Sequence, residues 1–183
     1  MPDHKGTVRL TTDRLVLREF RLSDAEDMFR GWMSDEEVAK YTSWYAHSSV
    51  EDTRAYINHI IGMDKDRSYN WVIELGGRPV GTINVCWADD NAGICGIAYA
   101  LSREHWGKGI MTEALRAAAA FLFDSVGYRK IIAGCDSANT GSVRVMEKAG
   151  MKREACLRAQ IKRKDGSFGD DLQFGLFKDE LIK

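Results

Sequence analysis

The sequence has no excess of charge of either sign, since its 183 residues carry 26 Lys and Arg against 27 Asp and Glu. A formal net charge of -1 gives no electrostatic basis for binding nucleic acid, which usually needs a strong basic excess. No apolar run approaches the roughly 20 residues of a membrane-spanning helix, so we expect no membrane partner. Residues 1–5 are polar and form no signal-peptide core, which favours a cytoplasmic location.

Metal-binding and thiol motifs are also missing. Cys86, Cys95, Cys135 and Cys156 form no Cys-x-x-Cys pair, and the sequence has no His-Glu-x-x-His motif. We therefore expect no metal. Scattered cysteines are typical of buried thiols in a reduced compartment. Because none has a histidine partner in the sequence, we also expect no covalent acyl-enzyme.

The chain has the length of one domain that buries a substantial core, and we interpret residues 1–183 as a single domain. Capping boxes at Ser23, Ser34 and Ser48 predict three short helical segments. The strand–helix–strand succession over 93–135 predicts a parallel crossover, hence an α/β (α+β) fold with a mixed sheet. The hydrophobic patterns predict strands over 8–20, 69–75, 80–87, 93–101, 129–135, 151–163 and 168–177, and helices over 110–126 and 139–149.

One short stretch, residues 105–112 (HWGKGIMT), lies where a predicted strand gives way to a long helix. Gly107 and Gly109 allow positive φ and let a ligand approach the backbone closely. The unpaired N–H groups of a first helical turn, together with the helix dipole, favour an anion. The stretch therefore predicts a phosphate cradle, although the two glycines also fit a simple turn of the chain.

Two nucleotide-binding motifs fit this stretch poorly. A P-loop needs Ser or Thr after its lysine, and here Gly109 follows Lys108. A Rossmann fingerprint needs a third glycine, and Thr112 stands at that position. The sequence therefore disfavours a nucleotide-binding regulator.

Four segments, in order and over nearly the whole chain, resemble the GNAT superfamily of acetyl-coenzyme A N-acyltransferases. They are 11–18 (TTDRLVLR), 97–101 (IAYAL), 105–114 (HWGKGIMTEA) and 139–151, which begins with NTGS and ends with KAGM. They are most similar to the ribosomal-protein-alanine (Rim-type) N-acetyltransferase branch. The resemblance implies a mostly antiparallel central sheet of about seven strands flanked by helices. It also implies metal-free transfer of an acetyl group from acetyl-coenzyme A to a primary amine, by direct attack in a ternary complex.

The same resemblance implies which residues hold the cofactor. Tyr99, Ala100 and Leu101 would offer backbone groups to the amide-rich pantetheine arm. Asn139 would hydrogen-bond that arm and also fits a helix N-cap, while Ser142 would lie near the sulfur as an acid or a water-holder. The residues expected around the pyrophosphate are Trp106, Gly107, Lys108, Gly109, Ile110, Met111 and Thr112.

The sequence offers more than one candidate for the general base. Many relatives carry a glutamate before the isoleucine of the central strand, where this chain has Gly96. Glu113 is a candidate, although a carboxylate in a first helical turn also fits a role at the positive end of the helix dipole. Ser142 and Glu113 are therefore the candidate catalytic residues, and water held by backbone carbonyls is another candidate base.

The acceptor is less constrained. Tyr41, Trp44 and Tyr45 lie on a predicted loop, and loops carry binding residues more often than core elements do, so we expect them to bind the acceptor. The acceptor amine is a protein N-terminus, a polyamine, an amino acid or an aminoglycoside. The missing glutamate at Gly96 favours an alternative, an acyl-CoA-binding module with little turnover. Homodimers are common in the family, but nothing in the sequence fixes the oligomeric state.

Overall fold

The fold is built on one mixed β-sheet. The computed structural model describes residues 1–182, and within them eight strands lie in the order β1-β2-β3-β4-β5-β6-β8-β7. All neighbouring strands are antiparallel except β5 and β6, which are parallel as predicted. The strands are β1 (Leu10–Thr11), β2 (Leu15–Arg18), β3 (Asn70–Leu75), β4 (Arg78–Asp89), β5 (Ile94–Leu101), β6 (Lys130–Asp136), β7 (Lys152–Lys162) and β8 (Phe168–Phe177).

Helices fill the connections between these strands. The α-helices of the described residues are α1 (Ala25–Met28), α2 (Glu36–Ala39), α3 (Val50–Ile61), α4 (Ile110–Phe121) and α5 (Thr140–Ala149). Helices α1 and α4 each continue into a π-helical turn, Phe29–Met33 and Leu122–Val126. Helix α3 begins at a capping box in which Ser49 and Asp52 each accept a hydrogen bond from the other's backbone N–H.

The sheet separates two apolar clusters. Trp71 and Ile73 belong to the cluster on the face covered by α4 and α5, whereas Val72 belongs to the cluster formed with α1 and α3. This alternation follows from the strand itself, because successive side chains point to opposite faces. Trp32 is fully buried in the second cluster and Leu115 in the first. Each face of the sheet therefore carries its own helical layer.

Strands β5 and β6 separate soon after they meet. They pair only over Ile94–Gly96 and 130–132, although β5 stays paired with β4 up to Leu101 and β6 stays paired with β8 up to Asp136. Within residues 1–182, no strand pairs with the β6-facing side of 97–101. The backbone N–H and C=O groups on that side therefore line an opening in the sheet.

The start of the chain differs from the sequence-based expectation. The pattern predicts one strand over 8–20, whereas the structure has a hairpin, so the sheet has eight strands rather than about seven. The turn is closed by Thr12, whose N–H donates to Leu15 O at 3.0 Å and whose hydroxyl accepts the Leu15 N–H at 2.9 Å. The cap predicted at Ser23 does not form; instead Asp24, the third residue of the 3-10 turn Leu22–Asp24, accepts the N–H of Arg21.

Candidate active site

The predicted phosphate cradle lies at the start of α4, directly after the strand that borders the opening. Gly107 and Gly109 have φ of +72° and +74°, a conformation that other residues rarely adopt. Gly109 is the N-cap of α4 and offers no side chain to the first turn. The N–H groups of Ile110, Met111 and Thr112 therefore lack intrahelical acceptors and form a positive end suited to an anion.

Two hydrogen bonds hold this loop in place, one made by the Trp106 side chain and one made by Arg14. The Trp106 indole N–H donates to Leu101 O at 2.8 Å, which folds the loop back onto the end of β5. The carbonyl of Lys108 accepts a hydrogen bond from Arg14 at 3.1 Å. The Lys108 ammonium is exposed and has no ion-pair partner in the part of the chain that the structure describes. It is therefore available to a phosphate.

Glu113 fastens α4 to the β1–β2 hairpin. Its carboxylate accepts hydrogen bonds from the Thr12 hydroxyl and, at 2.7 Å, from the Arg14 guanidinium. Burial disfavours the charged form, but these hydrogen bonds outweigh it and hold the pKa of Glu113 below its usual value. Among residues 1–182 no hydrogen bond joins Glu113 to Ser142, and the Glu113 carboxylate is taken up by Thr12 and Arg14. The two predicted catalytic residues are thus not brought together.

Two hydroxyl groups meet across the opening between β5 and β6. The Tyr99 hydroxyl, from β5, lies 2.8 Å from Ser142 Oγ, on α5, and 3.3 Å from the Ser142 carbonyl. Cys135, near the end of β6, lies close to the Ser142 side chain. Burial raises the pKa of Tyr99 and of Cys135, so both groups keep their protons at neutral pH. The family resemblance implied only the backbone of Tyr99 here, and the position of its hydroxyl follows only from the fold.

Asn139 has one of the two functions that the sequence allows, the helix N-cap. Its side-chain oxygen accepts the N–H of Ser142 at 3.1 Å and thereby caps α5. Its amide nitrogen has no hydrogen-bond partner among residues 1–182 and lies at the N-terminal end of the helix that carries Ser142. A donor is therefore left for a ligand in the opening.

The predicted acceptor-binding aromatics lie on a loop held by the β7–β8 turn. Lys164 donates to the carbonyls of Ala39 and Trp44 and lies 4.8 Å from the centroid of the Tyr45 ring. Trp44 is partly buried against the α1–α3 cluster, whereas Tyr41 and Tyr45 are exposed. In the described residues these three rings share no hydrogen bond with Tyr99 or Ser142. Trp44 packs against the same α1–α3 cluster as Ala100 of β5, so this loop lies on that face of the sheet.

An ion pair near the β7–β8 turn has no signature in the sequence. Arg163 donates two hydrogen bonds to the Asp136 carboxylate, at 2.6 and 2.8 Å, and Asp136 is 2% exposed. These bonds hold the pKa of Asp136 below its usual value. The pair ties the end of β6 to the β7–β8 turn.

Residues 1–182 contain neither a cluster of metal-binding side chains nor a helix that could span a membrane. No three His, Cys, Asp or Glu side chains there are grouped so that they could hold a metal ion. None of the helices described there is long and apolar enough to cross a membrane.

Comparison with known proteins identifies the family. Residues 14–152 match the model of the acetyltransferase (GNAT) domain. The uncharacterized N-acetyltransferase p20 of Bacillus licheniformis is 30% identical over 174 residues, which are 93% of this chain and 97% of that protein. The crystal structure of a GNAT-family acetyltransferase from Bacillus anthracis superposes with a TM-score of 0.83 at 27% identity, and covers 94% of this chain and 100% of that one. The chain therefore belongs to the GNAT acetyltransferase family.

A second solved structure also shares the fold. It is RimL, the ribosomal L7/L12 α-N-protein acetyltransferase, in complex with coenzyme A, with a TM-score of 0.84 at 18% identity over 94% of this chain and 99% of that one. The family membership confirms the predicted class, an acyltransferase whose acyl donor is acetyl-coenzyme A.

Proposed function

We propose that this enzyme acetylates the α-amine of a protein or peptide N-terminus by direct attack in a ternary complex. The observation that carries the proposal is the opening between β5 and β6, which begins beside the cradle of Gly107 and Gly109 and contains the Tyr99–Ser142 pair. The cradle suits a pyrophosphate, because nothing lies within 4 Å of where a Cβ of Gly107 would stand.

The residues of the opening fit the rest of the cofactor. The unpaired backbone groups of 97–101 suit an amide-rich arm that adds to the strand like a peptide, and the free amide nitrogen of Asn139 adds a donor. When bound, acetyl-coenzyme A supplies the thioester that the amine attacks. The hydroxyls of Ser142 and Tyr99 would then donate a proton to the leaving sulfur. Glu113 would keep α4 and its cradle in place through Arg14.

Direct attack is supported by the state of the nearest thiol. Cys135 lies close to Ser142, but burial raises its pKa, and no histidine contacts it among residues 1–182. A thiol without a base is a poor nucleophile at neutral pH. The acceptor amine would therefore attack the thioester itself, from the side on which Tyr41, Trp44 and Tyr45 lie.

The cradle gives the first prediction. Acetyl-coenzyme A at about 100 times its Kd should raise the melting temperature by roughly 5–10 °C, because it binds the folded state. Gly109→Val should abolish most of this shift, since valine disfavours the positive φ of +74° and its branched side chain would block close approach of the cofactor to the backbone. Differential scanning fluorimetry with and without the cofactor measures both.

Gly166→Val is the matched control. Gly166 also has a positive φ, +85°, but lies in the β7–β8 turn with nothing within 4 Å of its Cβ position. Both variants should lose about 1–2 kcal/mol from backbone strain. Only Gly109→Val should lose the shift, and a normal shift in that variant would place the cofactor elsewhere.

The acceptor gives the second prediction. At pH 7 an α-amine with a pKa near 8 is about one-tenth neutral, whereas a lysine-type amine with a pKa near 10.4 is neutral in fewer than about one molecule in 1,000. A peptide with a free N-terminus should therefore exceed an Nα-blocked lysine peptide and a polyamine by about tenfold or more in kcat/KM. Release of free thiol from acetyl-coenzyme A measures this.

The same comparison of amines also distinguishes the proposed function from its two alternatives. A preference for the polyamine would move the acceptor to small molecules. Binding of acetyl-coenzyme A without thiol release for any amine would instead indicate an acyl-CoA-binding module.

A further inference from the structure

The opening has a second face, opposite the Tyr99–Ser142 pair. On β6, Ala133 and Cys135 belong to the cluster under α4 and α5, so Gly134 between them faces the other way. By the same alternation, Ala100 of β5 contacts the cluster formed by α1 and α3. Gly134 is exposed and lies two residues beyond the last β5–β6 pair. On this face the opening is therefore bordered by the small residues Gly134 and Ala100, which leave it accessible to an acceptor.

Two polar side chains of β8 lie beside Gly134 on this face. Asp171 and Gln173 alternate with residues buried under α5, so they point to the same face as Gly134. Gln173 Nε2 lies 2.7 Å, and Asp171 Oδ1 3.2 Å, from the position that a Cβ of residue 134 would occupy. Any side chain there would have to displace the amide or the carboxylate. The glycine leaves room for both groups at the edge of the opening.

The Asp171 carboxylate is oriented by a hydrogen bond but has no ion-pair partner in the described part of the chain. Gln173 Nε2 donates to Asp171 Oδ2 at 2.6 Å, which fixes the plane of the carboxylate, while Oδ1 lies over Gly134. Among residues 1–182 the structure gives this carboxylate no lysine, arginine or histidine partner within ion-pair distance.

The neighbouring carboxylates are already engaged. Asp136 is bound by the Arg163 guanidinium, and Glu113 by that of Arg14. Asp170 accepts the backbone N–H of Ala159 at 2.9 Å, on the other face of β8. Of these, Asp171 alone combines a position at the opening with an unpaired negative charge.

We propose that Asp171 is the catalytic base of the acetyl transfer, in place of the glutamate that is missing at Gly96. This inference rests on the proposed function. As the amine nitrogen bonds to the acetyl carbon it becomes positively charged and must lose a proton. Asp171 accepts that proton, the carbon–sulfur bond breaks, and the Tyr99–Ser142 pair protonates the sulfur. Attack and proton removal thus occur on one face of the opening, and the sulfur leaves on the other.

The variant Asp171→Asn tests this role, because asparagine keeps the shape and can still accept the Gln173 hydrogen bond. We expect kcat for the free N-terminal peptide to fall roughly a hundredfold or more, the range for losing a general base. The thermal shift with acetyl-coenzyme A should stay at the wild-type value. Asp171→Glu should have a higher kcat than Asp171→Asn, because it keeps a carboxylate, although one methylene group farther from the backbone.

Asp170→Asn is the matched control, being the adjacent aspartate on the opposite face, and should keep wild-type kcat. Calorimetry of peptide binding to the enzyme saturated with coenzyme A gives a readout independent of turnover, and we expect Asp171→Asn to change that Kd less than threefold. An unchanged kcat in Asp171→Asn would refute the assignment of Asp171 as the base. A raised KM and a raised peptide Kd with kcat intact would refute it as well, since they would indicate a role in binding alone. A wild-type enzyme that shows no shift with acetyl-coenzyme A would refute the proposed function instead.

Discussion

Asp24→Ala is expected to lower the free energy of unfolding by about 3–5 kcal/mol, the usual cost of removing one partner of a buried ion pair. Arg18 and Asp24 are 5% and 4% exposed, and the guanidinium donates to both carboxylate oxygens at 2.9 and 2.8 Å. Asp24 also accepts the N–H of Arg21 at 2.8 Å. Alanine would leave the guanidinium with Glu74 as its remaining carboxylate, and the Arg21 N–H without its acceptor. Urea unfolding followed by circular dichroism measures the loss.

Glu26→Ala is the control for this effect. Glu26 is half exposed, and its ion pairs with Arg30 and Arg54 are both 3.4 Å long. Exposed pairs of this kind contribute about 0–1 kcal/mol. If the two variants unfold within 1 kcal/mol of each other, the buried pair does not stabilise the start of α1.

Local chemistry explains which parts of the fold were predictable. Gly107 and Gly109 identify the loop in the sequence, because the positive φ at both positions favours glycine over other residues. Asn139 marks the start of α5 for the same kind of reason, since a side-chain oxygen must cap the first turn. The break after Thr11 was missed because the turn uses Thr12 and Asp13, with neither Gly nor Pro to indicate it.

The contacts that define the site lie between residues far apart in the chain. Tyr99 and Ser142 are 43 positions apart, and their hydrogen bond exists only because β5 and β6 separate beneath α5. Asp171 reaches Gly134 through the pairing of β6 with β8, which no local pattern encodes. Gly134 itself is an indirect signal, since a glycine in the middle of a strand indicates that another group approaches the backbone closely, but it does not say which group.

The hydroxyl pair gives the last prediction. Ser142→Ala and Tyr99→Phe should each lower kcat by roughly tenfold to a thousandfold, the range for losing one acid or oxyanion donor. Acetyl-coenzyme A affinity should change little, because neither hydroxyl belongs to the cradle. The raised pKa of Tyr99 keeps its proton in place through neutral pH, so kcat of the wild type should show no loss from Tyr99 ionisation there. Steady-state kinetics on the free N-terminal peptide measures both variants.

A double-mutant cycle decides whether the two hydroxyls act as one donor. If Tyr99 passes its proton through Ser142, each single variant breaks the same relay, and the double variant should be no slower than the slower single one. Independent donors would instead give losses that multiply. Cys135→Ala is the control, because it removes the third group at this point and should retain most activity. A loss of about a thousandfold there would indicate a covalent thiol intermediate and refute direct attack.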